Sequence, residues 1–166
     1  QTGGSVILPA AFCGVVGYKA SVDGLDRTGI QALKKSLDTL GYFARSVDDI
    51  ALVYSAVTGN AVPADSGRPR IGVCRTAMWA EAENYAQAAL ETSAARLSAA
   101  GYDVTDIELP PEMTSIEQPF RVISNYEGKA ALARDYRDHM DKMNPWMRET
   151  GESNWTENEY AEAIAT

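Results

Sequence analysis

Apolar residues recur every three or four positions in several stretches of the chain, which is the period of a helix with one buried face. Between Ser46 and Gly59 this pattern predicts a helix over 47–58, with a capping serine before it and a glycine after it. An alanine-rich stretch with a similar apolar stripe predicts a second helix over about 81–100. We therefore expect helices to make up much of the structure.

A third helical region is predicted over 115–166. One long helix is expected to run to about residue 143, where Asn144-Pro145 ends it because proline cannot continue a helix. Thr156 followed three residues later by Glu159 is a capping box, which predicts another helix near the end of the chain.

Two short apolar runs on either side of the second helix have the composition of strands. They cover 70–74 and 102–109, and together with the helix they predict a βαβ unit over 70–109 with parallel strands. The first 30 residues contain many glycines among apolar residues, which favours tight turns and short strands there. The expected fold class is α/β.

Composition excludes several classes of function. Apolar residues make up 45% and charged residues 23% of the 166 residues, as in a folded globular protein. A formal net charge of −8 argues against direct nucleic-acid binding and against docking on anionic lipid. No apolar run reaches the length of a membrane span, and the first residues do not resemble a signal peptide. We expect a cytoplasmic protein that does not bind a membrane.

Side chains capable of metal binding or of histidine chemistry are scarce. The two cysteines, Cys13 and Cys74, are expected to be buried and inert, and neither a disulfide framework nor a zinc site is indicated. The only histidine, His139, is expected on an exposed helix face. Glu127 is interpreted as exposed or ion-paired, although a buried hydrogen-bonded role is the alternative.

The run Thr2-Gly3-Gly4-Ser5 has the composition of a catalytic turn. Two glycines before a serine let a substrate approach closely, and the neighbouring backbone N–H groups can hold the oxyanion of a tetrahedral intermediate. Taken alone, a Gly-Gly-Ser sequence is more often an ordinary turn than a nucleophile.

Two longer blocks, residues 1–19 and 36–49, resemble the signature of the amidase signature family in order and spacing. Residues 70–166 resemble the family more loosely. The resemblance implies a partial amidase domain over 1–166, with the nucleophile motif at 1–19. It also implies an α/β fold that forms part of the family's mixed β-sheet, flanked by helices.

The family cleaves or transfers carbon–nitrogen amide bonds with a Ser–cis-Ser–Lys triad. By resemblance, Ser5 is the catalytic nucleophile, and the backbone N–H groups of Thr2, Gly3, Gly4 and Ser5 form the oxyanion hole. The cis-serine and the lysine base lie N-terminal to this motif, in sequence that the chain does not contain, while Lys19 matches a structural lysine. The implied substrate is a small-molecule amide, and no cofactor or metal is implied.

Some positions depart from the family pattern. Ile7 and Leu8 stand where an arginine is common, and Gln1 replaces a frequent aspartate. These two differences rank the A subunit of glutamyl-tRNA amidotransferase below a hydrolytic amidase. A non-catalytic remnant that acts as a structural or interaction domain is the alternative from another class.

The positions at which the chain begins and ends lead to expectations about its activity and its association. The chain opens within the motif and ends within a helix, so we expect a piece of a larger protein. Without the triad lysine, this piece alone is expected to be inactive. Unpaired sheet edges favour association, and a homodimer is one form that it can take.

Overall fold

The structure, a computed structural model, describes residues 1–62 and 67–166, apart from the side chains of residues 112 and 114. The chain divides into two compact units. One, the discontinuous unit, consists of Gln1–Val62 and Glu117–Thr166, and the other, the inserted unit, is Pro63–Ile116. Helices and strands both occur, so the fold class is α/β, as the sequence predicts.

The first half of the discontinuous unit contains helix α1 (Ile7–Cys13), strands β1 (Val16–Lys19) and β2 (Gly41–Ala44), and helix α2 (Val47–Thr58). The two strands pair antiparallel over their full length. Helix α2 has the predicted bounds, because the Ser46 hydroxyl accepts the N–H of Asp49 at 3.1 Å and a left-handed glycine ends the last turn.

Helix α1 replaces the short strands or turns expected near residues 6–8. An apolar run of this length does not distinguish a strand from a helix, so its neighbours decide. Gly14 ends the helix in the left-handed conformation, with its N–H directed to the carbonyls of Ala10 and Ala11. At the other end, the Gln1 side-chain oxygen accepts the N–H groups of Val6 and Ile7 at 2.9 and 3.1 Å.

Helix α1 contacts the hairpin at a place where only glycine fits. A Cβ on Gly41 would lie 2.2 Å from the carbonyl oxygen of Tyr18 and 3.1 Å from the buried side chain of Val6. The sequence therefore allows the turn before α1 to pack directly against β1 and β2.

The second half of the discontinuous unit is helical: α4 (Glu117–Ala131), α5 (Ala133–His139), α6 (Pro145–Glu152) and α7 (Glu157–Ala165). Val122 and Ile123 of α4 pack with Ala163 of α7 in a small apolar core. The predicted capping box forms at the start of α7, between Thr156 and Glu159.

The long helix predicted to about residue 143 is interrupted. At Leu132 the backbone leaves the helical region, with φ −107° and ψ 19°, and a separate short helix, α5, follows. A 3₁₀ turn over Met140–Lys142 then precedes α6. The spacing of apolar residues continues across this break, so periodicity alone could not detect it.

The inserted unit contains β3 (Ile71–Cys74), α3 (Asn84–Ala99) and β4 (Val104–Ile107), with 3₁₀ turns at Trp79–Glu81 and Pro111–Ser115. The strands pair in parallel, with Ile71 opposite Val104, as predicted from the strand–helix–strand pattern. Within the described part of this unit, Val73 is the only buried residue.

Two further findings concern exposure. Cys13 is exposed and Cys74 is half-buried, so the prediction that both are buried in the core was wrong. Cys13 is the last residue of the seven-residue helix α1, and its neighbour in that helix, Phe12, is also largely exposed. Among the described residues, no helix is both long and apolar enough to cross a lipid bilayer.

Candidate active site

Ser5 lies in the turn that leads into α1, with its side chain exposed. Together with Gln1 and Thr2 it lines a cavity of about 460 Å³, and residues of the 27–40 segment form the other wall. A hydroxyl at the wall of a cavity of this size is accessible to a small-molecule substrate.

The backbone around Ser5 leaves donors available. The carbonyls of Gly3 and Gly4 are used, since they accept from the Gln1 side chain at 3.0 Å and from the Leu8 N–H at 2.9 Å. In contrast, the N–H groups of Thr2, Gly3, Gly4 and Ser5 donate to no acceptor within the described residues. Thr2 and Ser5, at the two ends of this run, line the cavity, so an oxygen that enters it comes close to these donors.

Asp38 braces this segment from the opposite wall. The Thr2 hydroxyl donates to Asp38 Oδ1, while the N–H groups of Leu33 and Lys34 donate to Oδ2 at 2.8 and 2.9 Å. Burial alone would raise the pKa of the Asp38 carboxyl, but these hydrogen bonds outweigh burial and lower that pKa. The Asp38 carboxylate thus links the two blocks of sequence, residues 1–19 and 36–49, on which the family resemblance rests.

A second connection runs through the backbone. Gln1 and Thr39 exchange hydrogen bonds, with the Gln1 nitrogen donating to the Thr39 carbonyl and the Thr39 N–H donating back at 2.9 Å. The Gln1 side chain accepts the N–H groups before α1 through its oxygen and donates to the Gly3 carbonyl through its nitrogen. A glutamine can do both, whereas the aspartate that the resemblance leads us to expect here can only accept. Sequence reasoning noted the substitution without finding this role.

Arg27 is a residue of this site that sequence reasoning missed. Its guanidinium donates to the carbonyls of Lys35 and Asp38 at 3.0 and 2.9 Å, and it pairs with Asp23 at 2.9 Å. It thereby fixes the curvature of the 27–38 segment. No local pattern indicates this, because the acceptors are backbone carbonyls, which are present at every position.

Glu127 of α4 is a hydrogen-bond hub, so its interpretation as an exposed or ion-paired residue was wrong. It accepts the N–H of Ser36 at 2.9 Å and the hydroxyl of Tyr160 at 2.7 Å. The hydrogen bond to Glu127, followed by burial, raises the pKa of Tyr160 to about 12. Glu127 therefore ties the segment that carries Asp38 to α4 and α7.

The remaining candidates lie outside this arrangement. The Lys19 ammonium donates to the carbonyl of Ala20 at 2.6 Å and does not line the cavity, which fits a structural lysine. His139 is exposed at the end of α5. Within the described residues, no hydrogen bond joins the Ser5 hydroxyl to a basic side chain.

Comparison with known proteins assigns the family. The family model described as Amidase matches residues 1–163. The A subunit of glutamyl-tRNA(Gln) amidotransferase from Synechococcus sp. (strain RCC307) is 32% identical over 152 residues, covering 81% of this chain and 31% of that protein. The corresponding subunit from Deinococcus radiodurans is 35% identical over 150 residues, again with 81% and 31% coverage.

Solved structures agree with this fold. A crystal structure of an amidase superposes with a TM-score of 0.89 at 25% identity, covering 99% of this chain and 38% of that one. The peptide amidase PAM, solved with the competitive inhibitor chymostatin, gives a TM-score of 0.72 at 22% identity, with 99% and 42% coverage, and shows the fold alone. The chain spans about a third of the length of the curated relatives. Because the family model matches nearly all of it, the chain belongs to the amidase family.

Proposed function

We propose that this chain carries the nucleophile and the oxyanion hole of a serine amidase that hydrolyses a carbon–nitrogen amide bond. One observation carries the proposal: the Ser5 hydroxyl lines a cavity of about 460 Å³ next to a run of backbone N–H groups that have no acceptor in the described residues. The family assignment supplies the reaction class.

In this proposal the Ser5 oxygen attacks the amide carbonyl while a base removes the hydroxyl proton. The carbonyl oxygen becomes an oxyanion and accepts hydrogen bonds from the N–H groups of residues 2–5. The tetrahedral intermediate collapses, the amine leaves with a proton, and water hydrolyses the acyl-serine to release a carboxylic acid. We propose that both units belong to one amidase domain and that the base is the triad lysine of the full-length protein.

The structural braces explain why the geometry suits this chemistry. Oxyanion donors stabilise a transition state only if they are held in place before the substrate arrives. The Thr2–Asp38 hydrogen bond and the Gln1–Thr39 pair hold the N-terminal end of the 2–5 segment. The Leu8 N–H, which donates to the Gly4 carbonyl at 2.9 Å, holds the other end. Because its pKa is lowered, the Asp38 carboxylate stays ionised at neutral pH and further into the acidic range than an ordinary aspartate, and both of its oxygens remain acceptors.

Replacing Ser5 with alanine in the full-length protein tests the proposal. We expect hydrolysis of a panel of small amides to fall at least about 1000-fold, because triad residues act as a unit. Labelling by a fluorophosphonate should also be lost. The matched control is Ser98→Ala on the exposed surface of α3. Residues 1–166 alone, without the lysine base, should remain unlabelled, and undiminished hydrolysis by the Ser5 variant would refute the proposal.

A second candidate function has specific support from the relatives. The two relatives named above are A subunits of glutamyl-tRNA(Gln) amidotransferase, and a like role would make this chain part of an ammonia-transferring complex. The substitutions at Gln1, Ile7 and Leu8 lead us to rank it second. Hydrolysis of simple amides by the purified protein favours the first candidate, whereas activity that requires added partner subunits and glutamine favours the second.

A further inference from the structure

Lys34 is buried to an unusual degree, with only 2% of its surface exposed. Lysine is among the residues least often found in a protein interior. Its side chain ends against Gly128 of α4, where an added Cβ would lie 2.1 Å from the Lys34 Nζ atom. The same ammonium lies 5.8 Å from the centre of the Trp146 ring on α6. A Cβ at position 128 would therefore displace the end of the Lys34 side chain from this place.

The surroundings of Lys34 do not compensate for its burial. Burial lowers the pKa of the Lys34 ammonium, and the attraction of the Asp38 and Glu127 carboxylates only partly offsets this. Both carboxylates have other donors: Thr2 and two backbone N–H groups for Asp38, and Ser36 and Tyr160 for Glu127. Neither carboxylate accepts a hydrogen bond from the Lys34 ammonium in the described part of the chain, although the Lys34 backbone N–H is one of the two that donate to Asp38. The buried cation therefore costs the folded state free energy.

Lys34 is nevertheless located where it can control the site. Its own N–H donates to Asp38 Oδ2 at 2.9 Å, and Asp38 Oδ1 accepts the Thr2 hydroxyl, three residues before Ser5. Its side chain reaches in the other direction, to α4 and α6. Lys34 does not line the cavity that contains Ser5, so it touches no substrate and cannot be the base.

We propose that Lys34 is a positioning residue for Ser5: its ammonium, held between Gly128 and Trp146, locks the 33–38 segment onto the helices and so keeps Asp38 aligned with Thr2. This inference rests on the proposed amidase function. A small misplacement of a catalytic segment costs as much as about 100-fold in rate, which is sufficient reason to retain a costly buried charge.

The test is Lys34→Met in the full-length protein, since methionine has nearly the same length and no charge. We expect kcat per site, counted by fluorophosphonate titration, to fall at least about tenfold. KM should change less than about twofold, since Lys34 touches no substrate. The melting temperature should stay the same or rise, because a costly buried cation is removed. Lys142→Met, at an exposed lysine of the same unit, is the matched control.

A double-mutant cycle with Asp38→Asn tests whether Lys34 affects kcat through Asp38. If Lys34 acts through Asp38, Lys34→Met should cost much less activity in the Asp38→Asn background than in the wild type. Additive losses would overturn the inference. So would a lower melting temperature with unchanged kcat per titrated site, which indicates a purely structural lysine. If the wild-type protein neither hydrolyses amides nor is labelled by the fluorophosphonate, both the proposed function and this inference are refuted.

Discussion

The two units of the chain use their charged residues differently. In the discontinuous unit, Asp38 and Glu127 are half-buried and accept hydrogen bonds from residues up to 91 positions away. In the inserted unit, Arg75 pairs with Glu91 and Asp106, whose side chains are 49% and 73% exposed. Exposed ion pairs contribute little to stability, whereas half-buried carboxylates with several donors define a specific arrangement.

The two units also differ in how far apart in the sequence the residues that determine their structure lie. The inserted unit is specified by a strand–helix–strand pattern that can be read locally, and it buries few side chains. The discontinuous unit brings Thr2, Asp38, Glu127 and Tyr160 together from distant parts of the sequence. The candidate site lies in the unit whose polar contacts are long-range, as expected when donors must be preorganised.

The largest predicted contrast comes from removing one carboxylate in each unit. Asp38→Ala leaves the Thr2 hydroxyl and two backbone N–H groups without their acceptor. We expect this to lower the free energy of unfolding by about 2 kcal/mol. The rate of amide hydrolysis should fall about 100-fold. Urea unfolding and steady-state kinetics measure both effects.

Asp106→Ala is the matched change in the inserted unit, because Arg75 keeps its two hydrogen bonds to Glu91 at 2.8 Å. We expect no measurable change in the urea midpoint or in kcat. Equal losses of stability for the two alanine variants would show that the half-buried and exposed carboxylates do not differ as described.

Local signals in the sequence predict much of the fold. Ser46 and Gly59 correctly bound α2, the capping box at Thr156 correctly begins α7, and the flanking strands of the inserted unit are parallel as expected. Each of these features is determined by residues close together in the chain. Helix α1 was missed because its start depends on a side chain, Gln1, acting across six residues.

Only part of the candidate site can be predicted from the sequence. The serine and glycines of the 2–5 run can be found from their pattern, but the roles of Lys34 and Arg27 cannot. The hydrogen-bonded role of Glu127 is only the less favoured of two interpretations of the sequence. Lysine and glutamate are normally exposed, and burial of Lys34 depends on Gly128 and Trp146, about a hundred positions away. Such contacts exist only after the helices of the discontinuous unit have packed.

A smaller contrast concerns two tyrosine hydroxyls. Tyr160→Phe removes the hydrogen bond to Glu127, and we expect a loss of about 1–2 kcal/mol at neutral pH. The folded state raises the pKa of Tyr160 to about 12, so the hydroxyl stabilises the fold fully below the unfolded pKa of about 10. That stabilisation should disappear as pH rises from about 10 through 12, bringing the wild type and the variant together.

Tyr85→Phe on α3 is the control, because its side chain is 75% exposed. It should match the wild type in urea midpoint at every pH. Measuring all three proteins between pH 8 and 12 separates the Tyr160 effect from the general ionisation of tyrosines and lysines. A stability difference for Tyr160→Phe that stays constant to pH 12 would contradict the assigned hydrogen bond.

The smallest contrast lies in how one helix of each unit begins. Helix α2 has a serine cap. The residue before α3 is Glu83, whose backbone lies outside the helical region at φ −59° and ψ 146° and whose side chain accepts no capping hydrogen bond. Ser46→Ala should cost about 1 kcal/mol. Glu83→Ser should add about 0.5 kcal/mol by supplying an acceptor for the Tyr85 N–H, since the Ala86 N–H already donates to the Glu83 carbonyl at 2.8 Å. Amide hydrogen exchange within α2 and α3 measures the two changes separately. Slower exchange confined to the first turn of α3 in Glu83→Ser would support this prediction. Faster exchange there would contradict it and show that the Glu83 carboxylate already stabilises that end of the helix through the helix dipole.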